Sequence, residues 1–293
     1  MKNILFIIID GLRKDRMGCY GYHRKTTPNL DEFHQNGLTF NKCIAPQNNT
    51  LSAFATILTG RHPLEHGLLS HDDDDFEIKD TILFEVMQKK GYQTIFISPI
   101  VSKCKWTIKG VDVAIDPKDK DDLVYSKNVI KHFNNIKKDK PFFAILHFYN
   151  CRHPFEHKYV KKYFNKNLET SMEKQSQEYD NGLRQFDTDI KPLLDKHKDD
   201  KILILSDHGI HLGERGLVDQ HFALDQHIIN VPFMTNFGGV GYYDNLFSQE
   251  DIAYLILDGI IKIREYILAY EKTRRETVAV ITPYEIKKFE VMI

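Results

Sequence analysis

The chain has 293 residues, 42% hydrophobic and 28% charged, with a formal net charge of −1. That length bounds one large α/β domain or two smaller ones. A near-zero charge without a basic stripe leaves no electrostatic footprint for nucleic acid, and no apolar run has the length of a transmembrane segment.

The first element is an apolar run, Ile4 to Ile9, that stops at Asp10-Gly11. It is too short for a signal peptide and no small-residue cleavage site follows, so it reads as a buried strand over 3–9 and the protein as cytoplasmic. Thr27-Pro28 opens a helix over 28–36 that Gly37 stops. A strand over 38–44, a helix over 50–59, a helix over 80–90 and strands over 93–98 and 111–115 follow. The acidic loop Asp72 to Asp75 reads as a solvated turn, because four adjacent residues cannot all face one ion. Next come a helix over 121–137 and a strand over 141–148. In a helix over 170–198, Tyr179, Leu183, Phe186, Ile190, Leu193 and Leu194 form a stripe of 3/4 spacing. A strand over 201–206, a strand over 231–236 and a helix over 248–271 complete the pattern, with a terminal hairpin expected at 277–281 and 288–293 around Pro283. Strands alternating with helices predict an α/β fold with a mainly parallel central sheet and helices on both faces. The four cysteines, Cys19, Cys43, Cys104 and Cys151, form no CxxC pair and read as reduced thiols.

Two apolar runs end in polar residues of the same kind. Ile4 to Ile9 meets Asp10-Gly11, and Ile202 to Leu205 meets Ser206-Asp207-His208-Gly209. Catalysis in open parallel sheets collects past the carboxyl ends of the strands. If these strands are neighbours, Asp10, Asp207 and His208 converge on one rim, a ligand set that suits a divalent cation. Thr50 opens a helix after the polar loop Pro46-Gln47-Asn48-Asn49. It reads either as an N-cap or as a nucleophile whose alkoxide a helix N-terminus and a metal would stabilise.

Taken in order, these residues resemble the sulfatase-like branch of the alkaline phosphatase superfamily along most of the chain. The family's LRxDxxGCYGY and TPNLD segments match Leu12 to Tyr22 and Thr27 to Asp31. Its LTGxxPxxHG matches Leu58 to Gly67, its GYxT strand matches Gly91 to Thr94, and its SDHGxxLGExGL matches Ser206 to Leu217. The resemblance implies an alkaline-phosphatase-like core over 1–240 and a reduced C-terminal part over 241–293, a helix and short β appendage. It implies a metal held by Asp10, Thr50, Asp207 and His208, with Thr50 as nucleophile.

Two departures redirect the chemistry. Sulfatases carry Cys or Ser at the Thr50 position for conversion to formylglycine, followed by an Arg where Phe54 stands. Threonine cannot be converted. Thr-type members resemble phosphodiesterases, lipoteichoic acid synthases and phosphoethanolamine transferases, which work through a phospho-threonine. The resemblance therefore implies a hydrolase or transferase of a small-molecule or glycan phosphoester. The alternatives are a sulfatase without formylglycine and a non-catalytic glycan-binding relative. Gly11 stands where a second Asp is common, and no Asp-x-x-x-His pair occurs between 140 and 206, so one divalent ion is expected. Mn²⁺ is favoured, with Zn²⁺, Mg²⁺ and Ca²⁺ as alternatives. His147, Arg152 and Asn49 are candidates for substrate binding, and His153 and His221 for protonating a leaving group. Oligomeric state is not legible.

Overall fold

The computed structural model describes residues 1–70, 76–118, 125–152, 161–164, 170–219 and 224–258. The chain divides into two compact units, Met1–Ala253 and Tyr254–Ile293. The expected terminal hairpin, the acidic turn at Asp72 to Asp75 and most of the second unit lie outside the described residues.

Through the first half the elements are β1 (Ile4–Ile9), α1 (Pro28–Gln35), β2 (Leu38–Ile44), α2 (Thr50–Thr59), α3 (Pro63–His66), α4 (Leu83–Lys89), β3 (Gln93–Ile97) and β4 (Val113–Ile115). Then follow α5 (Ser126–Asn135), β5 (Phe142–Phe148), α6 (Ser171–Lys196), β6 (Lys201–Ser206), β7 (His211–Leu212), β8 (Val218–Asp219), α7 (Gln226–Ile229), β9 (Asn230–Thr235), β10 (Gly241–Tyr243), β11 (Phe247–Ser248) and α8 (Asp251–Asp258). The sheet runs β10-β2-β9-β6-β1-β5-β3-β4, with β11 also on β2. Its pairs are parallel except those of β9, which runs antiparallel to both β6 and β2. That direction was not legible from the apolar pattern of the strand. β10 and β11, three and two residues long, also escaped the periodicity, because so short a run has no period to read.

β1 is buried along its whole length because β5 and β6 flank it and helices cover both faces. Alternation sorts the side chains. Leu5, Ile7 and Ile9 join Ala144, Leu146 and Phe148 in a core closed by Leu30 of α1, Val129 and Phe133 of α5, and Leu183, Phe186 and Ile190 of α6. On the opposite face, Phe84 of α4 meets Phe96 and Phe143, and Phe54 of α2 meets Phe96 and His147. The four cysteines are free thiols. No described helix is long and apolar enough to cross a membrane.

Candidate active site

With β1 between β5 and β6, three strand ends leave the sheet side by side. Ile9 pairs with both Phe148 and Ser206, so Asp10, the residues around 147–152 and Asp207-His208 share one rim. The Asp10 amide donates to Phe148 O at 2.9 Å, which fixes the turn just past the pairing. Gly11 follows at φ +72°, where a Cβ would meet Cys151 O at 3.0 Å, so glycine serves both the left-handed turn and the close approach. Buried Gln249 donates to the carbonyls of Ser206 and Asp207 at 2.8 and 2.7 Å and holds the end of β6.

The second part of the rim is the start of α2. Asn49 is its N-cap: it has extended backbone, and its Oδ1 accepts from Ser52 N at 3.0 Å. Asn49 was expected to bind substrate; here its side-chain oxygen is spent on the helix. Thr50 takes the first helical position, and its hydroxyl is left for the rim. Thr50 Oγ1 lies 3.2 Å from Asp10 Oδ2 and 3.3 Å from His208 Nε2, fully buried. The single hydroxyl proton can serve only one of these two acceptors.

Asp10, His147 and Asp207 are buried, and each offers one ligand-type atom within 4.8 Å of the other two. His147 Nδ1 is 2.8 Å from Ser98 Oγ, while its Nε2 and Asp207 Oδ2 make no hydrogen bond among the described residues. Buried polar atoms without partners are costly, and a cation between them would satisfy both. His208 Nδ1 lies 2.8 Å from Gly209 O, which assigns the proton to Nδ1 and leaves Nε2 as a lone pair facing Thr50. The residues present therefore fit a divalent ion. The reading from sequence had His147 as a substrate contact; the structure brings it to the two carboxylates instead. The signal was its position on β5, on the face toward α2, in phase with Phe143 and Ile145. Phe54, standing where sulfatases keep an Arg, packs its ring 4.7 Å from that of His147.

The charges on the rim explain one another. Burial pushes the Asp10 carboxyl up, but Arg152, then His208, His147 and the Thr50 hydroxyl outweigh it and hold the carboxyl below its ordinary range. Asp207 is pushed up to about 7, first by burial and also by the Asp10 charge. Burial pulls His147 down to about 3. His208 is raised, because Asp207 and Asp10 together exceed the burial effect. Two buried carboxylates with one guanidinium, Arg152 NH1 at 3.4 Å from Asp10 Oδ2, form an anionic pocket ready for a cation. His153 and His221 lie outside the described residues.

One residue without an expected role braces the rim. Arg13 is buried and donates to Asp15, Glu214 at 2.6 Å and Ile210 O, and meets His227 Nδ1 at 2.9 Å. Tyr179 of α6 accepts from Arg13 N and donates to Gly11 O, so the turn after Asp10 is tied to both α6 and the segment after β6. The signal in the sequence was its place in the LRxDxxGCYGY segment close behind the first strand.

The sulfatase family profile matches residues 2–258. Human arylsulfatase A is 33% identical over 97 residues, which are 31% of this chain and 19% of that enzyme, so the chain matches less than a fifth of that relative's length. Among solved structures, the soluble domain of lipooligosaccharide phosphoethanolamine transferase A from Neisseria meningitidis superposes with a TM-score of 0.69 at 19% identity, covering 87% of both chains. The phosphonate monoester hydrolase of Agrobacterium radiobacter gives 0.68 at 16% identity, covering 88% of this chain and 73% of its own. At such identities the two structures speak for the fold. With a profile spanning β1 to α8, the chain belongs to the sulfatase family.

Proposed function

We propose that the chain is a metal-dependent phosphoester hydrolase or phosphotransferase with Thr50 as its nucleophile. The observation that carries this reading is the buried Thr50 hydroxyl at the N-terminus of α2, 3.2 Å from Asp10 and 3.3 Å from His208. A threonine cannot become formylglycine, so the hydroxyl itself must attack. The relatives include both sulfatases and phosphoethanolamine transferases, so the choice of phosphoryl over sulfuryl chemistry rests on Thr50.

Asp10, Asp207, His208 and the Thr50 hydroxyl would hold one divalent ion, with His147 as a further ligand supplied by the geometry. Mixed oxygen and imidazole ligands suit Mn²⁺ or Zn²⁺ better than Mg²⁺ or Ca²⁺. When bound, the ion supplies a lowered pKa for the hydroxyl and countercharge for the phosphoryl oxygens. Thr50 Oγ forms the bond to phosphorus as the ester oxygen departs, and the hydroxyl proton passes to the Asp10 carboxylate, 3.2 Å away. The backbone N–H groups at the start of α2 and the Arg152 guanidinium bind the non-bridging oxygens. His153 or His221 gives the leaving oxygen its proton. Water or an acceptor hydroxyl then attacks phosphorus and gives its proton to the His153 or His221 that had lost one, while the bond to Thr50 Oγ breaks and the proton on Asp10 returns to the threonine. The substrate is a small-molecule or glycan phosphoester.

Thr50→Ala should lower turnover of bis(p-nitrophenyl) phosphate about a thousandfold or more with the fold intact. Wild type acid-quenched with this substrate should carry one p-nitrophenyl phosphoryl group on Thr50 by intact-mass and peptide analysis. Undiminished phosphodiesterase activity in the variant overturns the mechanism. Turnover of p-nitrophenyl sulfate without turnover of phosphate or phosphonate esters moves the reading to sulfate.

A further inference from the structure

The loop after β5 holds Arg152 in a specific way. Its backbone is clamped from two sides: Cys151 O faces the missing Cβ of Gly11, and Asn150 O would lie 2.5 Å from a Cβ on Gly182 of α6. Arg152 N donates to Tyr149 O at 3.1 Å and closes the turn. The backbone is therefore fixed, but the arginine side chain is long and 30% exposed, and its ion pair with Asp10 is long at 3.4 Å. A charge-assisted N–H···O bond is ordinarily about 2.7–2.9 Å, so this contact by itself does not hold the guanidinium.

The closer hold comes from a ring. The Arg152 Cζ lies 4.9 Å from the centroid of the Tyr149 ring. The same ring meets His147 at 4.8 Å in an edge-on arrangement with an interplanar angle of 83°. Tyr149 thus touches both the imidazole that faces the two carboxylates and the guanidinium that faces the pocket. An aromatic ring attracts a guanidinium through its π-electrons without consuming its N–H donors, whereas a carboxylate partner would consume them. Burial, with the Asp10 carboxylate adding to it, keeps the phenol well above its ordinary pKa, so the ring stays neutral.

Resting on the reading of this pocket as an ester-cleaving or transferring site, we propose that Tyr149 is a positioning residue. Its ring and hydroxyl hold Arg152 beside the pocket, leaving the guanidinium's other N–H groups for the oxygens of the transferred group. Sequence inspection had no signal for it, since the neighbours that give it this role come from the turn and from β5.

The test uses the full chain loaded with Mn²⁺ or Zn²⁺ and the variants Tyr149→Phe, Tyr149→Leu, Tyr149→Met, Arg152→Gln and Tyr149→Leu with Arg152→Gln. Two quantities are read: KM and kcat for bis(p-nitrophenyl) phosphate, and the dissociation constant for inorganic phosphate by calorimetric titration. Loss of the ring in Tyr149→Leu should raise KM and the phosphate dissociation constant about three- to thirtyfold. Tyr149→Phe keeps the ring and loses only the hydroxyl's hydrogen bond to Arg152, so its effect should be smaller than that of Tyr149→Leu. In the Arg152→Gln background the leucine should add nothing, because the partner it positions is gone. Should Tyr149→Leu not fold, Tyr149→Met, of similar bulk without a ring, carries the same expectation. A leucine or methionine effect that persists in full without Arg152, a phenylalanine variant as impaired as leucine, or no effect of either overturns the positioning role. A wild type that binds phosphate with the expected variant pattern but turns over no ester overturns the catalytic reading and leaves the positioning role supported.

Discussion

Thr50 of α2 and His66 of α3 do different work. Thr50 is spared from capping because Asn49 caps α2, so its hydroxyl faces Asp10 and His208. His66, beyond the other end of the helix in the family's HG motif, is a structural histidine. Its Nδ1 accepts from Leu68 N at 3.1 Å, so its Nε2–H donates to Thr56 Oγ1 at 3.0 Å. Burial is the main reason its pKa falls to about 4. The unfolded chain takes up this proton near 6.5 and the folded chain only near 4, so the unfolded state binds more protons between those values. The stability contributed by neutral His66 is therefore full above pH 6.5 and is lost as pH falls toward 4. Urea unfolding of wild type and His66→Gln at pH 7.5, 5.5 and 4.5 (roughly spanning that window) should show the wild-type advantage shrinking on acidification. An advantage independent of pH would contradict the assignment.

At the scale of elements, the approach of α6 to the turn after β5 decides where Arg152 starts. Gly182 allows this approach, since a Cβ there would lie 2.5 Å from Asn150 O. Gly182→Ala improves helix propensity by about 1 kcal/mol. Overpacking against a backbone carbonyl costs about 1–3 kcal/mol, and the carbonyl cannot rotate away as a side-chain tip would. The expected net result is a destabilised protein with a raised KM for bis(p-nitrophenyl) phosphate. A higher melting temperature with unchanged KM would show that α6 can shift without disturbing the loop. Helices α1, α2, α5 and α6 were legible to within a few residues in most cases, because a Pro start, a polar N-cap and 3/4 apolar spacing survive in the chain. Short elements such as β7, β8 and α7 were not, since they form only where a partner segment is brought alongside.

For the whole molecule, the pocket concentrates negative charge that the chain neutralises only in part. Asp10 and Asp207 are buried together, with Arg152 3.4 Å from Asp10 and His208 Nε2 3.5 Å from Asp207. A cation bound there should stabilise the fold by mass action, by about 2.7 kcal/mol at a hundred times its dissociation constant. Differential scanning calorimetry after chelation and after reloading with Mn²⁺ or Zn²⁺ checks this. Asp207→Asn and His208→Ala should abolish most of the shift, and His147→Ala should reduce it. An unchanged melting temperature on loading, with no metal retained in elemental analysis, would leave the pocket without its cation.

The sequence by itself determined the α/β class, the strand ends that carry Asp10 and Asp207-His208, and the family to which the chain belongs. Each of these rests on local pattern: apolar runs, glycine and proline stops, and motif order. Only the tertiary structure decided that β1 lies between β5 and β6, that β9 runs antiparallel, that Asn49 and not Thr50 caps α2, and that His147 faces the carboxylates while Arg152 lies over the Tyr149 ring. The reason is physical. Which strands are neighbours is set by how far-separated apolar faces bury one another, and a side chain acquires a partner only after that choice is made.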